Sequence, residues 1–330
     1  MSGVQQITVD AVDAGARLDR WFKRKFPHIA HGRVEKLLRT GQLRVDGKRA
    51  KGNVRIEAGQ VVRVPPLPEP TDAKPPKKVS GADTEFMRKL VIYEDADLIA
   101  LNKPFGLAVQ GGTKTTRHID GMLPALGEGC RLIHRLDRDT TGVLLIAKNA
   151  RAAKWAGRAF QSRRARKIYW GITNGVPKPT GGEIKGYMAK GRLDNRFGNK
   201  HEGKEVMEAV RHGTDGAKHA KTLYQVVGNA GQKAAWVSMQ PLTGRTHQLR
   251  LHMQLLGAPI GGDPKYMTDR PLPGGLENKL HLHAHSLSLP REDESDIHFT
   301  APLPGHMQRA FDMMGFEGSG EVDWDAVANG

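Results

Sequence analysis

Leu132-Ile-His-Arg-Leu-Asp-Arg-Asp-Thr-Thr-Gly-Val-Leu-Leu-Ile-Ala-Lys148 sets apolar residues on both sides of a knot of charge made by His134, Arg135, Asp137, Arg138 and Asp139. The pattern predicts a turn that presents a carboxylate among cations just before a buried strand at 143–147. Cationic surroundings hold a carboxylate ionised and therefore nucleophilic. The same residues also read as a surface turn tied by local salt bridges. The tripeptide Arg-Leu-Asp alone decides nothing, because it occurs at 17–19, 135–137 and 192–194. Only the middle copy has a preceding His and a following Asp-Thr-Thr-Gly and apolar run.

Around this loop the chain alternates short apolar runs with turn residues. Leu90-Val-Ile-Tyr93, Leu98-Ile-Ala-Leu101, Thr222-Leu-Tyr-Gln-Val-Val227, Ala235-Trp-Val-Ser-Met239 and Leu280-His-Leu-His-Ala284 read as further strands. From Phe86 onward helical patterns are fewer, near 150–163, 246–256 and 306–314. The fold class is therefore α+β, with a mixed, largely antiparallel sheet. His281, His283 and His285 alternate and could share one strand face as a metal triad, but ligands on one strand stand about 7 Å apart, so strand packing is expected and no metal site is assigned.

The chain has 330 residues, 51 Lys+Arg against 35 Asp+Glu, and a formal charge of +16, which points to a polyanionic partner. Residues 17–65 hold fourteen Lys/Arg and four Asp/Glu, or +10 of that total. Leu18, Phe22 and Phe26, then Val34, Leu37 and Leu38, predict two short amphipathic helices, and Leu43-Arg-Val45, Asp46-Gly47 and 55–64 predict a hairpin. The polar faces carry Arg20, Lys23, Arg24, Arg33, Lys36 and Arg39 as candidate nucleic-acid contacts. A proline-rich stretch follows, so the expected organisation is a basic helix-helix-hairpin domain at 1–66, a linker at 67–84, a larger domain at 85–316 and a flexible tail at 317–330. The single Cys130 excludes an intramolecular disulfide framework. The start lacks a signal-peptide pattern and no stretch of eighteen apolar residues occurs, so a cytoplasmic protein with no membrane association is expected.

The loop at 132–148 resembles the catalytic loop of the RluA-type pseudouridine synthase family. Other stretches agree in order: Leu101-Asn-Lys-Pro-Phe-Gly-Leu-Ala-Val109, Lys167-Ile-Tyr169, Thr243-Gly-Arg-Thr-His-Gln-Leu-Arg-Leu-His252 and Leu256-Gly-Ala-Pro-Ile-Gly-Gly-Asp-Pro-Lys-Tyr266. Thr141 stands where the family more often has Ser. Arg17-Leu-Asp-Arg-Trp-Phe22, Arg33-Val-Glu-Lys-Leu-Leu-Arg-Thr-Gly-Gln-Leu-Arg-Val-Asp-Gly-Lys48 and Ala58-Gly-Gln-Val-Val62 resemble the alpha-L RNA-binding module. Gly106-Leu-Ala-Val-Gln-Gly-Gly112 together with that module is most similar to the RluC-like subgroup.

The resemblance implies an isomerase that turns uridine into pseudouridine in large-subunit ribosomal RNA, as a monomer and without a cofactor, because the reaction has no net redox change. It implies that Asp137 is essential, that Tyr169 stacks on the extruded uracil, and that Arg245 pairs with Asp137, with Arg250 as the other possible partner. Arg135 would fill the gap left by the flipped base, with His134 and Arg250 among the RNA contacts. A transfer-RNA substrate and a non-catalytic RNA-binding or ribosome-assembly factor are the rival readings; the latter requires loss of a motif residue, and none is missing. A hydrolase using Asp137 and Asp139 fits poorly, because alternate residues of one turn are badly placed to flank a bond.

Overall fold

A computed structural model describes residues 3–29, 31–68, 79–112, 115–192, 205–267 and 271–329. It divides into two compact units, Met1–Lys78 and Val79–Gly330.

The first unit holds β1 (Gln5–Thr8), α1 (Leu18–Lys25), α2 (His31–Arg39), β2 (Arg44–Val45), β3 (Lys48–Arg49) and β4 (Val61–Val64). The strands form an antiparallel sheet in the order β1-β4-β2-β3. Asp46 and Gly47 both have positive φ, 47° and 73°, which is the backbone of a two-residue hairpin turn. Leu18, Trp21, Phe22, Val34 and Leu37 of the helices close on Leu43, Val62, Val64 and Leu67 as one core. The expected helix-helix-hairpin lacked β1, whose four residues are too few to show a period, and Leu67 belongs to this core although the linker was expected to begin there. The rest of that linker, 69–78, lies outside the described residues.

The second unit opens with α3 (Gly81–Lys89), inside the expected linker. The Ser80 hydroxyl accepts the Asp83 N–H at 3.1 Å, an N-cap with an acidic partner three residues on. Then come β5 (Val91–Glu94), β6 (Leu98–Lys103), α4 (Ile119–Met122), β7 (Arg131–Leu132), β8 (Thr141–Ala147), α5 (Ala150–Gln161), β9 (Arg166–Asn174), β10 (Gly181–Arg192) and β11 (Glu205–Val210). β12 (Lys218–Ala230), β13 (Ala234–Pro241), α6 (Gln248–Leu255), β14 (Leu282–Pro290), β15 (Asp296–Thr300), α7 (Gly305–Met314) and α8 (Trp324–Asn329) complete it. The strands make one sheet in the order β11-β10-β12-β13-β9-β14-β8-β6-β5, with β15 on β14 and β7 on β8. The α+β, mostly antiparallel architecture agrees with the sequence reading.

The one parallel pair among the described strands is β14–β8, in register only at His283–Thr141 and Ala284–Gly142. Gly142 has φ 105°, and a Cβ there would collide with the Ala284 backbone, so the close approach requires glycine. β8 is buried on both faces. Val143 and Leu145 meet Ala152, Trp155 and Ala156 of α5. Leu144 and Ile146 meet Met87, Ile119 and Leu123. Two covered faces explain a continuous apolar run where one covered face would give alternation.

The three alternating histidines serve packing and hydrogen bonding. His283 bonds Thr141 Oγ1 at 2.8 Å and the Ala301 carbonyl at 3.1 Å. His281 bonds the Gly261 carbonyl at 3.2 Å, and His285 stacks on Trp170 with ring centroids 3.5 Å apart. The tail expected to be flexible instead carries α8, with Trp324 buried, and a Cβ on Gly320 would collide with Trp170 and Trp236. Composition hid this anchor, because one tryptophan among Gly and acidic residues holds the segment down.

Candidate active site

Asp137 opens a turn closed by the Thr140 N–H donating to its carbonyl at 3.2 Å. Thr141 then enters β8, its hydroxyl bonded to His283, so the loop's end is tied to the neighbouring strand. Beneath the turn, the fully buried Lys103 donates from Nζ to the carbonyls of Pro104 (3.0 Å), Leu107 (2.8 Å) and Arg138 (2.7 Å). Burial pulls this amine down to about 7, against the pull of Asp139 and Asp137.

The Asp137 side chain, 29% exposed, faces a cleft of about 620 Å³. The loop 133–140, Phe160 and Arg163 at the end of α5, Lys167 and Tyr169 of β9, and residues 241–250 wall it. Arg250 Nη1 stands 3.8 Å from Asp137 Oδ2. The same guanidinium donates from Nε and Nη2 to the two oxygens of Asp263, each at 2.7 Å, and lies 5.2 Å from the Tyr266 ring centroid. Asp263 is fully buried and also accepts the N–H groups of Lys265 (2.9 Å) and Tyr266 (3.2 Å). A bidentate, stacked guanidinium has no rotamer left to lose, so Arg250 is a fixed positive charge beside the carboxylate. His247 adds Nε2 at 4.0 Å from Asp137, its Nδ1 3.0 Å from the Tyr266 hydroxyl and its φ at 53°. Burial pushes this imidazole down to about 3, so it is neutral at physiological pH.

Burial raises the Asp137 carboxyl above the usual range, outweighing Arg250 and Arg135. This corrects the expectation that the cationic setting alone keeps it ionised: the cations restore part of what the enclosed cleft takes away. Tyr169, between Met239 on β13 and Ala284 on β14, lines the same cleft. Burial, then the Asp137 charge, pushes its hydroxyl upward, so it stays protonated. Arg135 is exposed and donates to Thr246 Oγ1 at 3.3 Å, bridging two cleft walls.

The structure places Arg245 and His134 in settings the sequence did not show. Arg245 lines the rim, but its Nε donates to the His219 carbonyl at 3.0 Å, and the residue forming an ion pair with Asp137 is Arg250. The cause is the helix start. Gln248 accepts the Arg245 N–H and the Thr243 hydroxyl in the turn before α6, leaving Arg245 outside the helix and Arg250 on its buried side. His134 lines the cleft, but one of its ring nitrogens and one ring face are engaged within the protein. Its Nε2 accepts the Leu145 N–H at 2.9 Å and its ring stacks on Phe160 at 4.7 Å, which places the remaining proton on Nδ1 of a neutral ring. Burial, then the charge of Lys167, pushes it down to about 3. Asp263, Tyr266, His247 and Lys103 were missed as site-building residues. An Asp in a Gly-rich turn soon after a helix was the available signal.

On the first unit, Arg20, Arg33, Lys36 and Arg39 are exposed, and the last three make no side-chain hydrogen bond or ion pair among the described residues. Lys23 instead donates to the carbonyls of Pro27 (2.7 Å) and Ile29 (2.8 Å), and Arg24 pairs with Asp13 at 2.8 Å. Those two cations are partly spent on holding the turn after α1.

Comparison with known proteins gives a consistent pattern. A family model described as RNA pseudouridylate synthase matches residues 97–255. A ribosomal large subunit pseudouridine synthase C of Rickettsia bellii is 33% identical over 312 residues, covering 92% of this chain and 99% of its own. The protein so named in Vibrio cholerae is 33% identical over 324 residues, covering 94% and 97%. Among solved structures, human RNA pseudouridylate synthase domain containing 4 superposes with a TM-score of 0.58 at 30% identity, covering 70% of this chain and 95% of that one.

Proposed function

The chain belongs to the RNA pseudouridine synthases, in their RluA-type, RluC-like branch, and from that premise we propose that it isomerises specific uridines of large-subunit ribosomal RNA. It is an isomerase acting on RNA. The observation that carries the substrate-level reading is a carboxylate lining a cleft of about 620 Å³, faced by a locked cation and a partly buried tyrosine. The N1–C1′ bond breaks, the base turns, the C5–C1′ bond forms, and one proton leaves C5 while one arrives at N1. Nothing is oxidised or reduced. A target base must leave its stack to reach the cleft. In this reading Asp137 acts on the nucleotide, Arg250 fixes its orientation, Tyr169 holds the free uracil by its face, and Arg135 occupies the space the base vacates. Arg20, Arg33, Lys36 and Arg39 grip structured RNA through its backbone. The protein works as a monomer in the cytoplasm, with the basic unit and the cleft-bearing unit as separate domains. Among the described residues no helix is long and apolar enough to cross a membrane.

Pseudouridine mapping on ribosomal RNA, by chemical derivatisation and reverse transcription from cells with and without the gene, tests the reading. Specific large-subunit sites are expected to disappear and to return with the wild-type gene but not with Asp137→Asn. Unchanged ribosomal RNA with a lost transfer-RNA site would move the substrate; silence in both would favour a binding factor.

Deleting the first unit is expected to flatten the salt dependence of RNA binding. Each lost phosphate contact removes about 0.7–0.9 from the log-log slope, so loss of Arg20, Arg33, Lys36 and Arg39 predicts a fall of about 3–4. An identical slope would show that this unit does not touch RNA.

A further inference from the structure

Three basic residues around α5 and its neighbouring strands are neutralised by acidic partners. Lys148 pairs with Glu94 at 2.8 Å, Arg151 with Asp97 at 3.0 Å and Arg164 with Glu294. Lys167 and Arg163 are different. Neither side chain has a hydrogen-bond or ion-pair partner among the described residues, yet both line the cleft that holds Asp137.

Their placement is specific. Lys167 precedes Tyr169 by two residues on β9, so both side chains leave the same face of the sheet, about 6.6 Å apart along the strand. Moving from Tyr169 toward the start of β9, the wall passes from the partly buried ring to the partly buried Lys167 and then to the exposed Arg163 just past the end of α5. Arg163 is held at φ 64°, its N–H bonded to the Phe160 carbonyl at 3.4 Å. The Phe160 ring backs His134, which the Lys167 charge helps to keep neutral and which offers no anion to that ammonium. An enclosed ammonium without a partner costs folding free energy, and burial lowers its pKa with no compensating acid. Lys154, Arg158 and Arg166 nearby are unpaired as well among the described residues, but only Lys167 and Arg163 of these line the cleft, where an external anion can reach them.

We infer that Lys167 and Arg163 form a seat for a backbone phosphate of the RNA strand as it leads into the cleft, one step outward from the base on Tyr169. This rests on the functional reading above and deepens it, because it says which wall the sugar-phosphate chain follows. Lys167 is a compact point charge suited to one phosphate oxygen, and Arg163 at the rim can take a second.

The test compares wild type, Lys167→Gln, Lys167→Arg and Arg163→Gln as full chains, binding an in-vitro transcript of large-subunit ribosomal RNA across about 50–200 mM KCl. Lys167→Gln and Arg163→Gln are each expected to lower the log-log salt slope by about 0.7–0.9, and Lys167→Arg to keep it. Lys167→Gln should melt at or above the wild-type temperature, since an unpaired, enclosed charge has been removed. In turnover, KM for the transcript should rise several-fold with kcat little changed. Slopes equal to wild type in both glutamine variants would overturn the inference. So would a fall in kcat with an unchanged slope in Lys167→Gln, which would assign the ammonium to the uracil oxygens instead. Arg163 is exposed, so its variant reports even if Lys167→Gln folds poorly. Binding needs no turnover: a wild-type protein that makes no pseudouridine in the transcript fails the functional reading, while the slopes still judge the phosphate seat.

Discussion

Asp137→Asn forms no detectable pseudouridine, a loss of at least about a thousandfold, while its affinity for RNA stays within about twofold of wild type. The amide keeps the size and the turn hydrogen bond, which is made by the backbone carbonyl, and loses only the charge and basicity of the carboxylate. The same variant is expected to be more heat-stable. Burial raises the Asp137 carboxyl above its unfolded value, so the folded state holds its proton to higher pH than the unfolded state. Below the unfolded pKa both states are protonated and the group contributes nothing. Above the unfolded pKa the cost of the enclosed carboxyl grows with pH until the folded pKa is passed, so it is already felt at pH 7. Asparagine removes it, and each kcal/mol relieved raises Tm by about 2–4 °C. Turnover retained in this variant would sink the assignment of Asp137, and a lower Tm would show that Arg250 more than offsets the burial. The acid limb of kcat/KM in the wild type should lie above the ordinary carboxylate range and move further up in Arg250→Gln, since Arg250 is the leading influence drawing it down.

Asp263→Ala is expected to cost about 3–5 kcal/mol of stability and most of the activity. Asp263 lies wholly inside the protein and holds both Nε and Nη2 of Arg250 at 2.7 Å. Without it a guanidinium only 5% exposed keeps Asp137, 3.8 Å away, as its remaining anionic neighbour within ion-pair reach. Breaking a buried pair by removing one member leaves the other charge uncompensated, which is why the penalty exceeds that of a surface salt bridge. The turn at 263–266 also loses the carboxylate that caps the Lys265 and Tyr266 amides. Urea unfolding and single-turnover kinetics measure the two effects. Stability within about 1 kcal/mol of wild type would mean that Arg250 can turn wholly to Asp137, and that Asp263 does not hold it in place.

The charged loop before β8 could be read as a presented carboxylate because each informative neighbour lies within a few residues: apolar edges, a glycine that permits close strand contact, and one acid at the start of the turn. The strands at 98–103, 141–147 and 234–241, and the helices at 150–161, 248–255 and 305–314, were legible for the same local reason, their apolar period or run. Short or weakly patterned elements were not. β1 has four residues, the Ser80 cap sits among residues that resemble a linker, and α8 depends on a single buried tryptophan.

The sequence by itself determined the chemistry available: two acids among cations in a loop, a tyrosine on a strand, a basic helical module, and a resemblance whose motifs follow in order along the chain. Only the tertiary structure decided which groups meet. Arg245 and Arg250 are equally basic in the text, and the start of α6 puts one on the His219 carbonyl and the other against Asp137 and Asp263. His134 is one more polar residue in the text, and only the fold shows one ring face on Phe160 and its Nε2 on the Leu145 amide. The sign of the Asp137 shift also needed the fold, because desolvation depends on how much protein surrounds a group in space, while sequence spacing reports only which charges stand near it along the chain.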